Sequence, residues 1–169
     1  MAVKIRRALP DDAEGIVRYI AQVAGESDFL TFGPGEFKVT PEQERSYLEQ
    51  MGAQENCLFI IAEDGPEIVG ILGFSANTKP RTRHTGEFGM TVRRDRWGKG
   101  VGTRLIEYMI AWARESDIVR KINLRVREDN ERGIRLYERM GFVREGVITR
   151  DFYVDGRFYS SILMGLQVD

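Results

Sequence analysis

RDRWGKGVGTRL, Arg94 to Leu105, sets three glycines, Gly98, Gly100 and Gly102, on alternate positions. GEFGMTVRR, Gly86 to Arg94, reads as a strand running into them. It places Glu87, Gly89 and Thr91 on one face and Phe88, Met90 and Val92 on the other. Beyond them Leu105, Ile106, Met109, Ile110 and Ala113 recur at helical spacing. A strand that enters a helix through glycines makes an anion site. The first helical N–H groups lack internal partners, the helix dipole adds positive potential, and missing Cβ atoms let a phosphate reach the backbone. Arg93, Arg94, Arg96 and Lys99 add charge around that mouth. The stretch therefore predicts a phosphate or pyrophosphate cradle.

Two familiar cradles do not match. A Walker loop needs Ser or Thr after Gly-Lys, and Gly100 follows Lys99. The dinucleotide fingerprint is G-x-G-x-x-G at the first βαβ unit, whereas this run is G-x-G-x-G in mid-chain.

Around this segment the chain reads as one domain spanning residues 1–169. It is 42% apolar and 30% charged, with no low-complexity tract or internal repeat. A net charge of −1 gives no global attraction to nucleic acid or to an anionic membrane. Cys57 is the only cysteine and lies in the apolar run CLFIIA, so it reads as a small buried hydrophobe. His84 is the only histidine, which excludes a histidine-rich metal site. No metal is expected. The N-terminal residues lack a signal-peptide core, and no apolar stretch approaches the ~20 residues of a membrane span. A cytoplasmic location is expected.

AVKIRRA reads as a first strand, followed by a helix capped by Asp11 with Glu14 and faced by Ile16, Val17, Ile20 and Val23. GESDFLTFGPGEFKV, Gly25 to Val39, reads as an aromatic loop. Thr40-Pro41 opens a second helix, with Gln43 closing its capping box and Tyr47, Leu48 and Met51 on its apolar side. CLFIIA and EIVGILGFSA pair through Asp64, Gly65 and Pro66, and KINLRV is a further strand. A short helix runs from about Asn130 to Met140 and ends at Gly141. REGVITRDFYV and RFYSSILMGL close the chain as a hairpin turning at Asp155-Gly156. The order β-α-α-β-β-β-α-β-α-β-β predicts an α/β (α+β) protein. Its sheet should be mixed and mostly antiparallel, with about seven strands and about four helices.

A second segment, DNERGIRLYERMGF, Asp129 to Phe142, narrows the chemistry. Together with VRRDRWGKGVG it resembles the GNAT superfamily of acetyl-CoA-dependent N-acetyltransferases. WGKGVG is similar to the family's Q/R-x-x-G-x-G/A pyrophosphate loop, with Trp97 in the first position. NERGIRLYERMGF is similar to its N-x-x-A-x-x-L-Y-x-x-x-G-F segment, with Gly133 in place of the usual alanine. The closing hairpin resembles that of the ribosomal-protein alanine and diamine acetyltransferases.

The resemblance implies that the pantetheine arm pairs with the strand backbone at Met90, Thr91 and Val92. It implies that the pyrophosphate lies on Trp97, Gly98, Lys99, Gly100, Val101 and Gly102, with Thr103 capping the helix. Asn130 matches the family asparagine near the cofactor arm, and it also suits a helix N-cap. Tyr137 matches the tyrosine that protonates the departing thiolate, and it also suits an aromatic anchor in the core. Glu87 occupies a position where several members carry an acidic residue. It reads either as the base that deprotonates the amine or as a solvated strand-end glutamate.

The implied function is acetyl transfer to a primary amine by direct attack. The acceptor is a small amine, an amino acid-like compound or a protein N-terminus. The aromatic loop and the closing hairpin would build the acceptor site, and a homodimer is compatible. A non-catalytic acyl-CoA-binding regulatory module and a domain binding ATP or NAD are the competing readings.

Overall fold

A computed structural model describes residues 2–27, 29, 30 and 32–169. Asp28 and Thr31 of the aromatic loop lie outside the described residues. The chain forms β1 (Val3–Arg7), a 3₁₀ turn (Pro10–Asp12), α1 (Ala13–Val23), α2 (Pro41–Ala53), β2 (Cys57–Asp64) and β3 (Glu67–Ala76). There follow β4 (Thr85–Val92), a 3₁₀ turn (Arg94–Arg96), α3 (Val101–Glu115), β5 (Lys121–Arg127), α4 (Glu131–Arg139), β6 (Val143–Val154) and β7 (Arg157–Gln167). The expected element order is observed among the described residues.

The strands form one seven-stranded sheet in the order β1-β2-β3-β4-β5-β7-β6. Each neighbouring pair is antiparallel except β4 and β5. One face carries α3 and α4 over a core that includes Leu72, Phe74, Leu105, Met109, Ile122 and Met164. The other carries α1 and α2 over Ile16, Tyr19, Ile20, Leu48 and Ile61. The alternation of β4 sorts its side chains between these layers. Phe88 and Met90 meet the α3 side, while Thr91 meets Tyr19 of α1 through a 3.0 Å hydrogen bond.

Local chemistry sets most boundaries as the sequence implies. Thr40 and Gln43 form a reciprocal capping box on α2. Asp155 and Gly156 turn the closing hairpin with φ of 50° and 77°, the positive values that a tight right-twisted hairpin needs. Helix α1 begins differently from expectation. Pro10 starts a 3₁₀ turn that delays the helix to Ala13. Asp12, rather than Asp11, ties that turn: its carboxylate accepts from the Leu9 N–H at 2.7 Å and from Arg6 at 2.8 and 2.9 Å. On the buried face of α1 Tyr19 joins Ile16, Ile20 and Val23, and Val17 is only half-buried. In α2 Glu44 is buried beside Leu48 and Met51, and Tyr47 stays largely exposed against the edge of Phe59.

Candidate active site

Strands β4 and β5 pair only from Thr85–Lys121 to Glu87–Asn123, then part. Both continue, to Val92 and Arg127, so a wedge opens between them. The backbone of β4 faces this wedge on alternate residues. Arg93 donates to the Val69 carbonyl at 2.9 Å, and Asn77 donates to the Thr85 carbonyl at 3.2 Å. By antiparallel alternation the backbone groups of Glu87, Gly89 and Thr91 turn to β3, and those of Phe88, Met90 and Val92 turn to β5. Two edges that part leave strand donors and acceptors free to pair with an extended ligand.

A cavity of about 1060 Å³ occupies the wedge. Of the residues singled out in the sequence, Glu87, Met90, Thr91, Val92, Trp97, Gly98, Gly100, Val101, Gly102, Thr103, Asn130 and Tyr137 line it, and Lys99 does not. Thr91 contributes differently from Met90 and Val92, since its backbone turns to β3 and its hydroxyl holds Tyr19.

At one end the wedge opens on the glycine turn. Gly98 and Gly100 have φ of 74° and 83°, a left-handed backbone that other residues resist. Gly100, and not Thr103, is the N-cap of α3 and brings no side-chain cap, so the amides of Val101, Gly102 and Thr103 lack intrahelical partners, and all three residues line the cavity. The Trp97 indole N–H donates to the Val92 carbonyl at 2.8 Å, which ties the turn to the end of β4. Arg94 and Arg132 stack on the Trp97 ring at 5.6 and 5.2 Å.

The positive charge at the mouth comes partly from another element than expected. Arg93 pairs with Asp95 at 2.7 Å and with Glu67 at 3.5 Å, and Arg96 pairs with Asp64 at 2.7 Å. The hydrogen bond to Asp95, with Glu67 nearby, raises the Arg93 value, and the Arg93 hydrogen bond holds Asp95 below the usual carboxylate range. Arg94 is held by Glu26, whose carboxylate accepts from its N–H at 2.9 Å and whose carbonyl accepts from its guanidinium. Arg96 still lines the cavity, and Arg132, Arg135 and Arg139 of α4 line it as well. Their i, i+3, i+7 spacing was the available signal, since it puts three cations on one helix face.

In the middle of the wedge stands Tyr137. Its ring packs edge-on against Phe88 at 6.0 Å and Phe142 at 6.2 Å. Burial pushes its phenol up to about 12. The ring anchors α4, and the residue lines the cavity with a neutral phenol. Asn130 caps α4. Its Oδ1 accepts from the Gly133 N–H at 3.0 Å as an N-cap, and the residue also lines the cavity. A Cβ at position 133 would meet the Asn130 side chain at 2.9 to 3.1 Å, which accounts for glycine there.

Glu87 lies on the opposite side of β4, half-exposed, with Oε1 3.6 Å from Nε of Arg125. Arg125 also pairs with Asp151 at 3.3 Å. His84 is exposed, and its carbonyl accepts from the Arg120 and Lys121 N–H groups at the start of β5. The Cys57 thiol is buried and free. Among the described residues no cluster of three or more His, Cys, Asp or Glu could hold a metal, and no helix is long and apolar enough to cross a membrane.

Residues 26–142 match the Acetyltransferase (GNAT) family. The chain belongs to this family. A GNAT-family acetyltransferase from Streptococcus pneumoniae superposes with a TM-score of 0.96 at 30% identity, over 99% of this chain and 100% of that one. An acetyltransferase of Salmonella typhimurium, solved with its cofactor acetyl-CoA, superposes with a TM-score of 0.86 at 20% identity, over 100% and 95% of the two chains. The spermidine N(1)-acetyltransferase of Escherichia coli K12 is 24% identical over 96% of this chain and 84% of its own length. The mixed seven-stranded fold is thus that of the GNAT acetyltransferases, and the parted β4 and β5 are where its glycine turn, Asn130 and Tyr137 converge.

Proposed function

We propose that the protein transfers an acetyl group from acetyl-CoA to the nitrogen of a primary amine by direct attack. The observation that carries this reading is the wedge itself. It leads from the uncapped amides of α3, past the β4 edge at Met90 and Val92 where β5 has parted from it, to Tyr137. A diphosphate suits the amide end, and an extended amide-containing arm suits the strand edge. Acetyl-CoA supplies the acetyl group as a thioester.

The chain's own residues orient, polarise and move protons. A β4 amide facing the wedge stabilises the oxyanion that forms when the amine adds to the thioester carbonyl. Tyr137 gives its proton to the departing thiolate, and Glu87 takes the proton that the amine must lose, directly or through water. Holding both reactants in one cleft supplies much of the remaining acceleration. The Tyr137 side chain on the cavity wall favours an enzyme over a silent binding module. A cytosolic setting accords with the free buried thiol of Cys57.

The test is acetyl-CoA titrated calorimetrically, followed by release of free thiol with a panel of amines. Binding at a 1:1 ratio with amine-dependent thiol release is expected. Preferred binding of ATP or NAD would overturn the reading.

A further inference from the structure

The cavity continues past Tyr137 to the α1 side of the sheet, where its chemistry changes. One row across three strands reads Phe59, Gly73, Gly89, each directly opposite the next. The Phe59 ring leans over Gly73, 3.3 Å from where a Cβ would stand. A Cβ at Gly89 would meet nothing within 4 Å. Phe59 thus covers Gly73, and Gly89 leaves a hollow beside that ring. Phe29, Phe32 and Phe37 of the loop and Phe152 of β6 wall the same cavity. Phe32 and Phe37 stack 5.3 Å apart, and both pack on the α1 core.

The carboxylates around this hollow already have cationic or N–H partners. Glu87 faces Arg125, which also holds Asp151. Glu26 accepts from the Arg94 N–H. Arg127 pairs with Asp129 at 2.7 Å and lies between the Phe29 ring, at 4.6 Å, and the Tyr159 ring, at 4.0 Å. That clamp ties the aromatic loop to β5 and β7. A polyamine brings several cations into the site, and each needs a carboxylate not already matched by arginine. An apolar group gains from the aromatic walls without such a demand.

Resting on the proposed acetyl transfer, we infer that the acceptor is a monoamine carried on an apolar body of about phenyl or branched-alkyl size. Gly89 provides the space for that body, the Phe59 ring over Gly73 provides a wall, and Glu87 stands one row away, near the amine. A linear polyamine finds neither a counter-charge nor a fit.

The experiment compares kcat/KM for phenethylamine, isopentylamine, methylamine, spermidine and an alanine-initiated peptide at fixed acetyl-CoA. Phenethylamine or isopentylamine should exceed methylamine and spermidine by at least about tenfold, the factor that two buried methylene groups produce. Gly89→Leu, at a position whose backbone accepts any residue, should raise KM for the best apolar amine by about tenfold or more. Its acetyl-CoA affinity, read by calorimetry, should stay within about twofold. Preference for spermidine or for the peptide overturns the inference, as does an unchanged KM in Gly89→Leu. Acetyl-CoA binding without turnover of any of these amines overturns it while the cofactor site stands. Failure of the wild type to bind acetyl-CoA overturns the transfer reading itself.

Discussion

The indole N–H of Trp97 donates to the carbonyl of Val92 at 2.8 Å, so the residue that opens the glycine turn is bonded to the last residue of β4. This contact fixes the amide cradle relative to the strand edge. The ring also serves as the platform on which Arg94 and Arg132 stack. Trp97→Phe retains a ring and deletes the donor. One net hydrogen bond is worth about 1 kcal/mol, so acetyl-CoA affinity should fall roughly 3- to 10-fold by calorimetry. Unchanged affinity would mean that the turn holds its shape without the bond.

Two glycines of the turn should fail for different reasons. Gly100 sits at a φ of 83° with open space around it, so Gly100→Val is strained by its backbone. At Gly102 a Cβ would stand 3.2 Å from Met90 Cε and 3.4 Å from Leu136 Cδ2, so Gly102→Val crowds the cavity wall. Both variants should lose acetyl-CoA binding in calorimetry. Gly102→Ala should retain part of it, because the Met90 and Leu136 side chains can shift, whereas Gly100→Ala keeps the strain. Equal affinities of the two alanine variants would contradict this distinction.

Tyr137→Phe keeps the ring between Phe88 and Phe142 and removes the proton. We expect kcat to drop by ~10²-fold with acetyl-CoA affinity nearly unchanged. Burial pushes this phenol up to about 12, so it stays neutral throughout the assay range. The wild-type kcat should therefore show no loss from tyrosine ionisation between about pH 8 and pH 10. A variant with wild-type turnover would leave Tyr137 as an anchor of α4 only.

Glu87→Gln tests the amine base. If the carboxylate removes the proton, kcat/KM should fall near neutral pH and partly recover at high pH, where free amine is abundant. Because Arg125 holds Glu87 at 3.6 Å, Arg125→Met should also change kcat/KM while Tyr137 remains in place. A Glu87→Gln profile that matches wild type would assign the proton to water.

Acid sensitivity should have a local source in Asp12. Its hydrogen bonds to Arg6 hold the carboxyl below its usual value. A depressed value stabilises the fold at pH above the usual carboxylate range, and the gain is lost as pH falls through the lowered value. Asp12→Asn should cost about 1 kcal/mol at neutral pH in urea unfolding and lose less than wild type on acidification. Parallel acid dependence in both proteins would place the sensitivity elsewhere.

Local rules settled what is local. The capping box at Thr40, the Asp155-Gly156 turn, the period of α3 and the uncapped glycine mouth are each written in a few adjacent residues, because backbone geometry and helix-end hydrogen bonding act over one turn. The motifs around Trp97 and Tyr137 also pointed to residues that line one cavity. Other features depended on which strands become neighbours. The parting of β4 from β5 is a property of two strands more than thirty residues apart. The same holds for the Phe59, Gly73, Gly89 row, in which each residue looks unremarkable alone. Charge was decided by folding as well: Arg93 and Arg96 found carboxylates at Glu67 and Asp64, while the arginines of α4 turned to the cavity. Ion pairing falls off with distance, so the effective charge of a residue belongs to the partners that tertiary structure brings within a few ångströms.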